Sequence, residues 1–212
     1  SWNIVEAMSN KFIYAVAVDP KDKCNIIVSD GPHVFRSTDC SRNWNLVYND
    51  DRANEKAIAL AFDYGNTKLV YAGLSGGQIL VSNDGGGSWR VAKDFKTNLQ
   101  YITTSPLAPG RVYAAGAGLA RSDDGGNNWT SLTEGLKLFN DNLNFYRLVL
   151  HPTEKDILFW ISKYGIVRSL DAGKTWADLK LLNPAGSVNI YALAISPKEP
   201  NEMYYVGTVL GE

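Results

Sequence analysis

Apolar and polar residues alternate along this chain in short bursts, and no burst keeps the spacing of a helical stripe. One set reads "YAVAVDP" (14–20), "AIALAFD" (57–63), "YITTSP" (101–106), "YRLVLHP" (146–152) and "YALAISP" (191–197). A second, richer in aromatics, reads "CNIIVSD", "KLVYAGL", "RVYAAGA", "ILFWISK" and "MYYVGTV". A third is "HVFRS", "QILVS", "GLARS" and "GIVRS", and a fourth opens on tryptophan: "WNLV", "WRVA", "WTSL" and "WADL". All are short, branched or aromatic, and bounded by Gly, Pro, Asn or Asp, so they predict strands. They recur in one order, strand A, B, C and D, which makes the chain a repeat.

Between strands C and D stands an eight-residue polar stretch: "STDCSRNW" from Ser37, "SNDGGGSW" from Ser82, "SDDGGNNW" from Ser122 and "SLDAGKTW" from Ser169. Serine holds the first place, aspartate the third and tryptophan the eighth; the fifth is glycine except at Ser41. Successive starts lie 45, 40 and 47 residues apart, a period that suits one four-stranded propeller blade. The repeats run approximately over 11–50, 56–94, 99–135 and 144–182. Residues 1–7 read as the tail of a further box with its strand D, and 188–212 as strands A and B of a further blade. The ends then either close a ring of about five blades or belong to an arc of a larger propeller.

These stretches resemble the Asp-box, or BNR, repeat of sialidases, xyloglucanase-type glycoside hydrolases, sortilin-type receptors and photosystem II assembly-factor propellers. The resemblance implies an all-β fold, a β-propeller of four-stranded antiparallel blades, over nearly the whole chain. It fixes architecture better than activity. Residue chemistry makes the boxes turns. Asp39, Asp84, Asp124 and Asp171 can accept from the next backbone N–H groups, the Ser hydroxyls can bond across the turn, and Trp44, Trp89, Trp129 and Trp176 are expected in blade cores. No box has the acid spacing and distal Glu of a calcium loop, and a strand, not a helix, follows each. Arg36, Arg121 and Arg168 share one repeat position, so they are not expected to converge as a sialidase triad does.

The formal charge is −1 on 212 residues, with no basic patch that suggests a nucleic-acid partner and no apolar run of membrane-spanning length. Two cysteines are present, Cys24 and Cys40. A B–C turn that sets Ser29 opposite His33 would bring them within bridging reach, and a bridge favours an extracytoplasmic or secreted location.

Strand alternation places the boxes at one end of the blades and the B–C and D–A loops at the other. The D–A loops differ from one another, as binding loops on a rigid frame do. They offer Asp50, Asp51, Arg52, Asp94, Phe139 and Asp141 as candidate ligand contacts. The candidate carboxylates for a glycosidase, outside the repeat, are Asp50, Asp51, Glu55, Asp94, Glu134 and Asp141, and none is assigned a catalytic role. Asp19 and Asp63 read as turn residues, and His33 and His151 as isolated. No cofactor or metal is expected. The leading expectation is a non-catalytic recognition or scaffold propeller binding glycan or protein. The alternatives are a fragment or relative of a β-propeller glycoside hydrolase, and an assembly-factor propeller.

Overall fold

Period-two alternation becomes strands throughout the computed structural model, which describes residues 4–139, 145–181 and 187–209. The first sheet is β1 (Ala15–Val18), β2 (Ile26–Ser29), β3 (His33–Ser37) and β4 (Asn45–Asn49). The second is β5 (Ala57–Phe62), β6 (Val70–Leu74), β7 (Gln78–Ser82) and β8 (Arg90–Asp94). The third is β9 (Leu99–Ser105), β10 (Ala108–Gly116), β11 (Leu119–Ser122) and β12 (Thr130–Ser131). The fourth is β13 (Phe145–Leu150), β14 (Leu158–Ser162), β15 (Gly165–Ser169) and β16 (Ala177–Asp178), and the last pairs β17 (Val188–Ile195) with β18 (Met203–Val209). Each four-stranded sheet runs in chain order, as an up-and-down blade requires.

Three details depart from the sequence reading. The strand expected at the start of the chain is absent from residues 4–8, where Glu6–Met8 form a single 3-10 turn. The B–C turn of the first sheet is one residue longer than expected: Ser29 pairs with Val34, not His33, because Asp30 and His33 close a turn around Gly31 and Pro32. The D–A connection of the third repeat holds one helical turn, α1 (Thr133–Leu136), whose Leu136 is fully buried.

The chain divides into two compact units, Ser1–Ala114 with Arg121–Trp129, and Ala115–Ala120 with Thr130–Glu212. In the first unit, Ile27 and Val34 of the first sheet pack with Leu60, Phe62, Val70 and Leu80 of the second. Another cluster there joins Tyr71, Ile79 and Val81 to Ile102 and Val112. In the second unit Phe159, Ile161 and Ile166 pack against Val188, Ile190 and Leu193. Removing each such side chain from water contributes roughly 1.5–3 kcal/mol, which makes sheet-on-sheet contact the main stabilising force.

The four polar stretches form one turn, built four times. The Ser hydroxyl donates to the aspartate two residues on, at 2.9, 2.7, 2.8 and 2.8 Å in chain order. The same hydroxyl accepts the fifth-place N–H at 2.9, 2.8, 2.9 and 2.8 Å. The aspartate accepts the seventh-place N–H, from Asn43, Ser88, Asn128 and Thr175, and the side chain of that same residue. A donor side chain at the seventh place is therefore part of the turn. Hydrogen bonds led by the seventh-place N–H hold Asp39 and Asp124 at about 2; those from Ser82 and Ser88 hold Asp84 well below the usual range.

The fourth and fifth places both lie at positive φ in all four turns: Cys40 +60° and Ser41 +68°, Gly85 +75° and Gly86 +92°, Gly125 +72° and Gly126 +85°, Ala172 +60° and Gly173 +93°. At Gly86 the absence of a side chain also matters for packing, because a Cβ there would meet Ile27 Cδ1 at 2.3 Å. In the second, third and fourth repeats the turn delivers its tryptophan to an apolar core. Trp89 and Trp129 join the two clusters of the first unit, and Trp176 is buried, its Nε1 donating to the Gly173 carbonyl at 3.0 Å. Cys24 and Cys40 are bridged, which ties the first turn to the start of β2.

Two outcomes follow for stability. Trp176→Ala should cost about 3–5 kcal/mol in urea unfolding, the range for a large core aromatic, and Trp44→Ala less than half of that, because no sheet covers the half-buried Trp44 among the described residues. Thiol titration of unfolded, unreduced protein should find no free thiol, and reduction of the bridge, which spans 16 residues, should cost about 3 kcal/mol.

Candidate functional site

Where the first and second sheets end in their B–C and D–A connections, all within the first unit, the turns are stitched together by side chains. Gly31 (φ +109°) allows the B–C turn, and a Cβ on it would meet the Tyr14 ring at 3.2 Å. The Gly31 carbonyl accepts Ala57 N–H at 2.8 Å, and the Pro32 carbonyl accepts Asp50 N–H at 2.8 Å, so this turn sets both ends of the first D–A loop. Lys11 Nζ reaches Asp30 Oδ2 at 2.5 Å, and His33 Nδ1 faces Asp30 Oδ1 at 2.9 Å. Burial pushes the Asp30 carboxyl upward, but the Lys11 and His33 contacts outweigh it and hold the group below the usual carboxylate range. His33 is thus partnered, contrary to its reading as isolated. His151 instead caps its own turn, its Nδ1 accepting Glu154 N–H at 3.1 Å.

Beside Asp30 stands an aromatic pair. Phe12 is 74% exposed and Tyr14 37%, with ring centroids 4.8 Å apart in an edge-on arrangement. Lys56 Nζ donates to the Tyr14 hydroxyl at 2.9 Å and lies 4.7 Å from the ring centroid, a cation–π contact. Lys56 N–H donates to Ser75 Oγ at 3.1 Å, and Ser75 Oγ and Gly76 N–H both donate to Glu55 Oε1 at 2.7 Å. Cations, carboxyl groups and an exposed aromatic surface therefore occupy one end of two adjacent sheets.

The residues singled out from sequence divide between roles. Asp50 is buried and takes Arg52 through Nε at 2.9 Å and NH2 at 2.6 Å, with the Tyr48 hydroxyl at 2.9 Å. The Arg52 guanidinium holds its pKa at about 2, and burial with Asp50 raises Tyr48 to about 12. Asp51 is exposed and accepts from Asn49 Nδ2 at 2.6 Å. Asp94 is exposed and closes its own turn onto Lys96 N–H at 2.8 Å. Glu134 pairs with Lys137 at 2.7 Å on α1. In the second unit Phe139 is half-buried, its ring centroid 5.4 Å from that of Tyr164; Asp141 lies outside the described residues. Asp50, Arg52 and Glu55 thus border the Asp30 cluster, whereas Asp94 sits on another connection.

Lys11, Phe12, Tyr14, Asp30, His33 and Lys56 were not read from the sequence as a group. "KFIY" carries a signal, two aromatics behind a lysine, but it merges with the strand that follows. Asp19 and Asp63 are turn residues as expected: Asp19 accepts Lys21 N–H at 2.8 Å, and Asp63 accepts Gly65 and Asn66 N–H at 2.9 and 2.7 Å. Arg36 bonds Asn25 and Arg121 bonds Asp123, each within its own repeat. No group of three or more His, Cys, Asp or Glu suited to a metal ion occurs among the described residues. No helix among them is long and apolar enough to cross a membrane.

No protein-family model matches the chain. A xyloglucanase from Paenibacillus sp. is 27% identical to it over 143 residues, covering 57% of this chain and 14% of that protein. Among solved structures, an ancestral GH74 enzyme aligns with a TM-score of 0.77 at 20% identity, over 94% of this chain and 28% of the other. The GH74 enzyme of Niastella koreensis aligns with a TM-score of 0.68 at 18% identity, over 91% and 33%. YCF48 bound to a D1 peptide aligns at a TM-score of 0.49 and 13% identity, too distant to bear on the fold. This chain spans a third or less of the xyloglucanase and GH74 proteins it is similar to. Its fold is a β-propeller fold of the kind found in xyloglucanase-type enzymes.

Arg52→Met should destabilise the protein by about 1–3 kcal/mol at neutral pH, because it removes the main partner of a buried carboxylate. The folded Asp50 titrates below its unfolded value of about 3.9, so the stabilisation is complete above that pH and lost as the pH falls towards about 2. The difference between wild type and variant, measured by urea unfolding across that range, should therefore shrink on acidification.

Proposed function

We propose that this chain is the carbohydrate-binding part of a β-propeller glycoside hydrolase that acts on polysaccharide of the xyloglucan class, with the four repeated turns serving as Asp-box scaffold. The observation that carries the reading is the exposed Phe12–Tyr14 pair beside ionised Asp30 and flanked by Lys11 and Lys56. A sugar ring stacks its C–H face on an aromatic, while carboxylate and ammonium groups bond its hydroxyls. Similarity to a xyloglucanase over 57% of the chain supports the same class. The Cys24–Cys40 bridge suits an oxidising, extracytoplasmic setting, where such a polymer would be met.

A second reading, recognition without turnover, draws on the charge state of the cluster. Asp30 and Asp50 are both held ionised, so they suit hydrogen-bond acceptance and not proton delivery to a leaving group. A glycosidase needs one carboxyl raised to donate and a second to act as base or nucleophile. In this reading the six-residue cluster grips the glycan and breaks no bond.

Calorimetry with xyloglucan oligosaccharides, beside a reducing-end assay on the polymer, tests both. Phe12→Ala should weaken binding at least tenfold while the melting temperature moves little, since Phe12 is largely exposed, and Asp30→Asn should weaken binding as much but also lower the melting temperature, since it breaks the pairs with Lys11 and His33. Binding with release of reducing ends supports the hydrolase; binding without release supports recognition alone. Unchanged affinity in both variants would remove the site from this end of the sheets.

A further inference from the structure

At the Phe12–Tyr14 end of the first two sheets the carboxylates are filled and the cations are not. Asp50 accepts Arg52 N–H at 3.0 Å, Arg52 Nε at 2.9 Å, Arg52 NH2 at 2.6 Å and the Tyr48 hydroxyl at 2.9 Å, which occupies the lone pairs of a carboxylate. Asp30 accepts Lys11 Nζ and His33 N–H and faces His33 Nδ1. Glu55 Oε1 accepts both Ser75 Oγ and Gly76 N–H. These acids are also the covered members of their ion pairs, with side chains 3, 10 and 12% exposed for Asp50, Asp30 and Glu55.

Their partners face water. The Arg52 and Lys11 side chains are 46 and 33% exposed. Arg52 gives Nε and one NH2 proton to Asp50, while its NH1 stands 3.9 Å from Glu55 Oε2, beyond hydrogen-bond reach. Lys11 gives one ammonium proton to Asp30 and Lys56 gives one to the Tyr14 hydroxyl, so each keeps further protons for a ligand. Donors are therefore in surplus beside the aromatic pair, and acceptors are not. A sugar hydroxyl both donates and accepts, so on this surface its own proton finds few partners. An ionised carboxylate only accepts, and bonds to it from ammonium and guanidinium groups are of the strong, charge-assisted kind.

On the glycan-binding reading of this site, on which the step rests, we infer that the glycan is acidic: a polysaccharide carrying uronic acid. Its ring stacks on Phe12 and Tyr14, and its carboxylate takes the outward protons of Lys11, Lys56 and Arg52. Asp51, exposed in the same loop with Asn49 Nδ2 bonded to it, opposes an anion there and limits the affinity.

Calorimetry with a xyloglucan oligosaccharide, and with the same oligosaccharide after oxidation of its primary hydroxyls to carboxylates, separates charge from ring. The oxidised form should bind about tenfold more tightly in low salt. That advantage should shrink to about threefold or less in roughly 1 M sodium chloride. Lys56→Met should abolish most of the advantage and leave affinity for the neutral form within about twofold, because an exposed ammonium acts chiefly on charged ligands. Asp51→Asn, at an exposed position, should act in the opposite sense and tighten the oxidised form alone. Sodium acetate at matched concentration should not displace the oxidised oligosaccharide; displacement would make this a simple anion site and overturn the inference. Equal affinity for the two forms, or equal losses for both in Lys56→Met, would also overturn it and leave the glycan reading standing. Binding of the oxidised form alone upholds the acidic glycan and removes neutral xyloglucan from the reading. If neither form binds, both readings fall.

Discussion

A serine hydroxyl closes each of the four turns on which the sheets depend. It shares a hydrogen bond with an aspartate and receives an N–H from a residue held at positive φ, so the buried serine is satisfied as both donor and acceptor while the chain reverses. In three of the four repeats that reversal aims a tryptophan into an apolar core. Without it, strands C and D would still alternate correctly, but the largest apolar side chain would have no fixed direction. Local polar chemistry thus sets non-local apolar contact, and the contact is where the stabilising energy lies.

The two ends of each sheet obey different constraints. At the turn end the same hydrogen bonds recur, and departures in sequence are absorbed locally: Cys40, like Ala172, and Ser41 take positive φ at places that glycine otherwise holds, and a disulfide fixes one of them. At the other end each connection is different. One carries the ionic knot of Asp50, Arg52 and Glu55, another only the self-contained turn of Asp94, and a third a single turn of helix. Variation is free there because the sheets are already held from the opposite end, which leaves that end open to recognition.

Strands and turns were legible because both rest on local rules. Alternation gives the strands, and Ser, Asp and Trp at fixed spacing give the turns. What escaped depends on contacts distant in sequence. The extra residue in strand A at Ile58, Tyr146 and Tyr191 recurs in three sheets as a bulge, yet nothing in a single repeat announces it. The B–C turn was misjudged by one residue because His33 opens the apolar run "HVFRS" and reads as the first paired residue of strand C. Asp30 was not singled out and proved to be the centre of a cluster, because its partner Lys11 is 19 residues away. Phe139 was chosen for its polar neighbours, but Tyr164, from the fourth sheet, covers it. The charged groups of the D–A loops were legible in the sequence; their partners were not, because side-chain pairing is set by how sheets stack.

The bond from Lys56 to Tyr14 has a mechanical side. Tyr14 leads into the first sheet and Lys56 into the second, and the core between them is formed by Ile27, Leu60 and Phe62. The width of the gap between acid, aromatic and ammonium is therefore the spacing of two packed layers, and protein interiors resist changes in such spacing. A molecule held by Asp30 on one layer and Lys56 on the other would act as a clamp across them. By linkage, whatever it gains in grip is returned as resistance to prising the layers apart. Conversely, a substitution deep between the sheets, touching no ligand, would be felt at the surface as a change in fit.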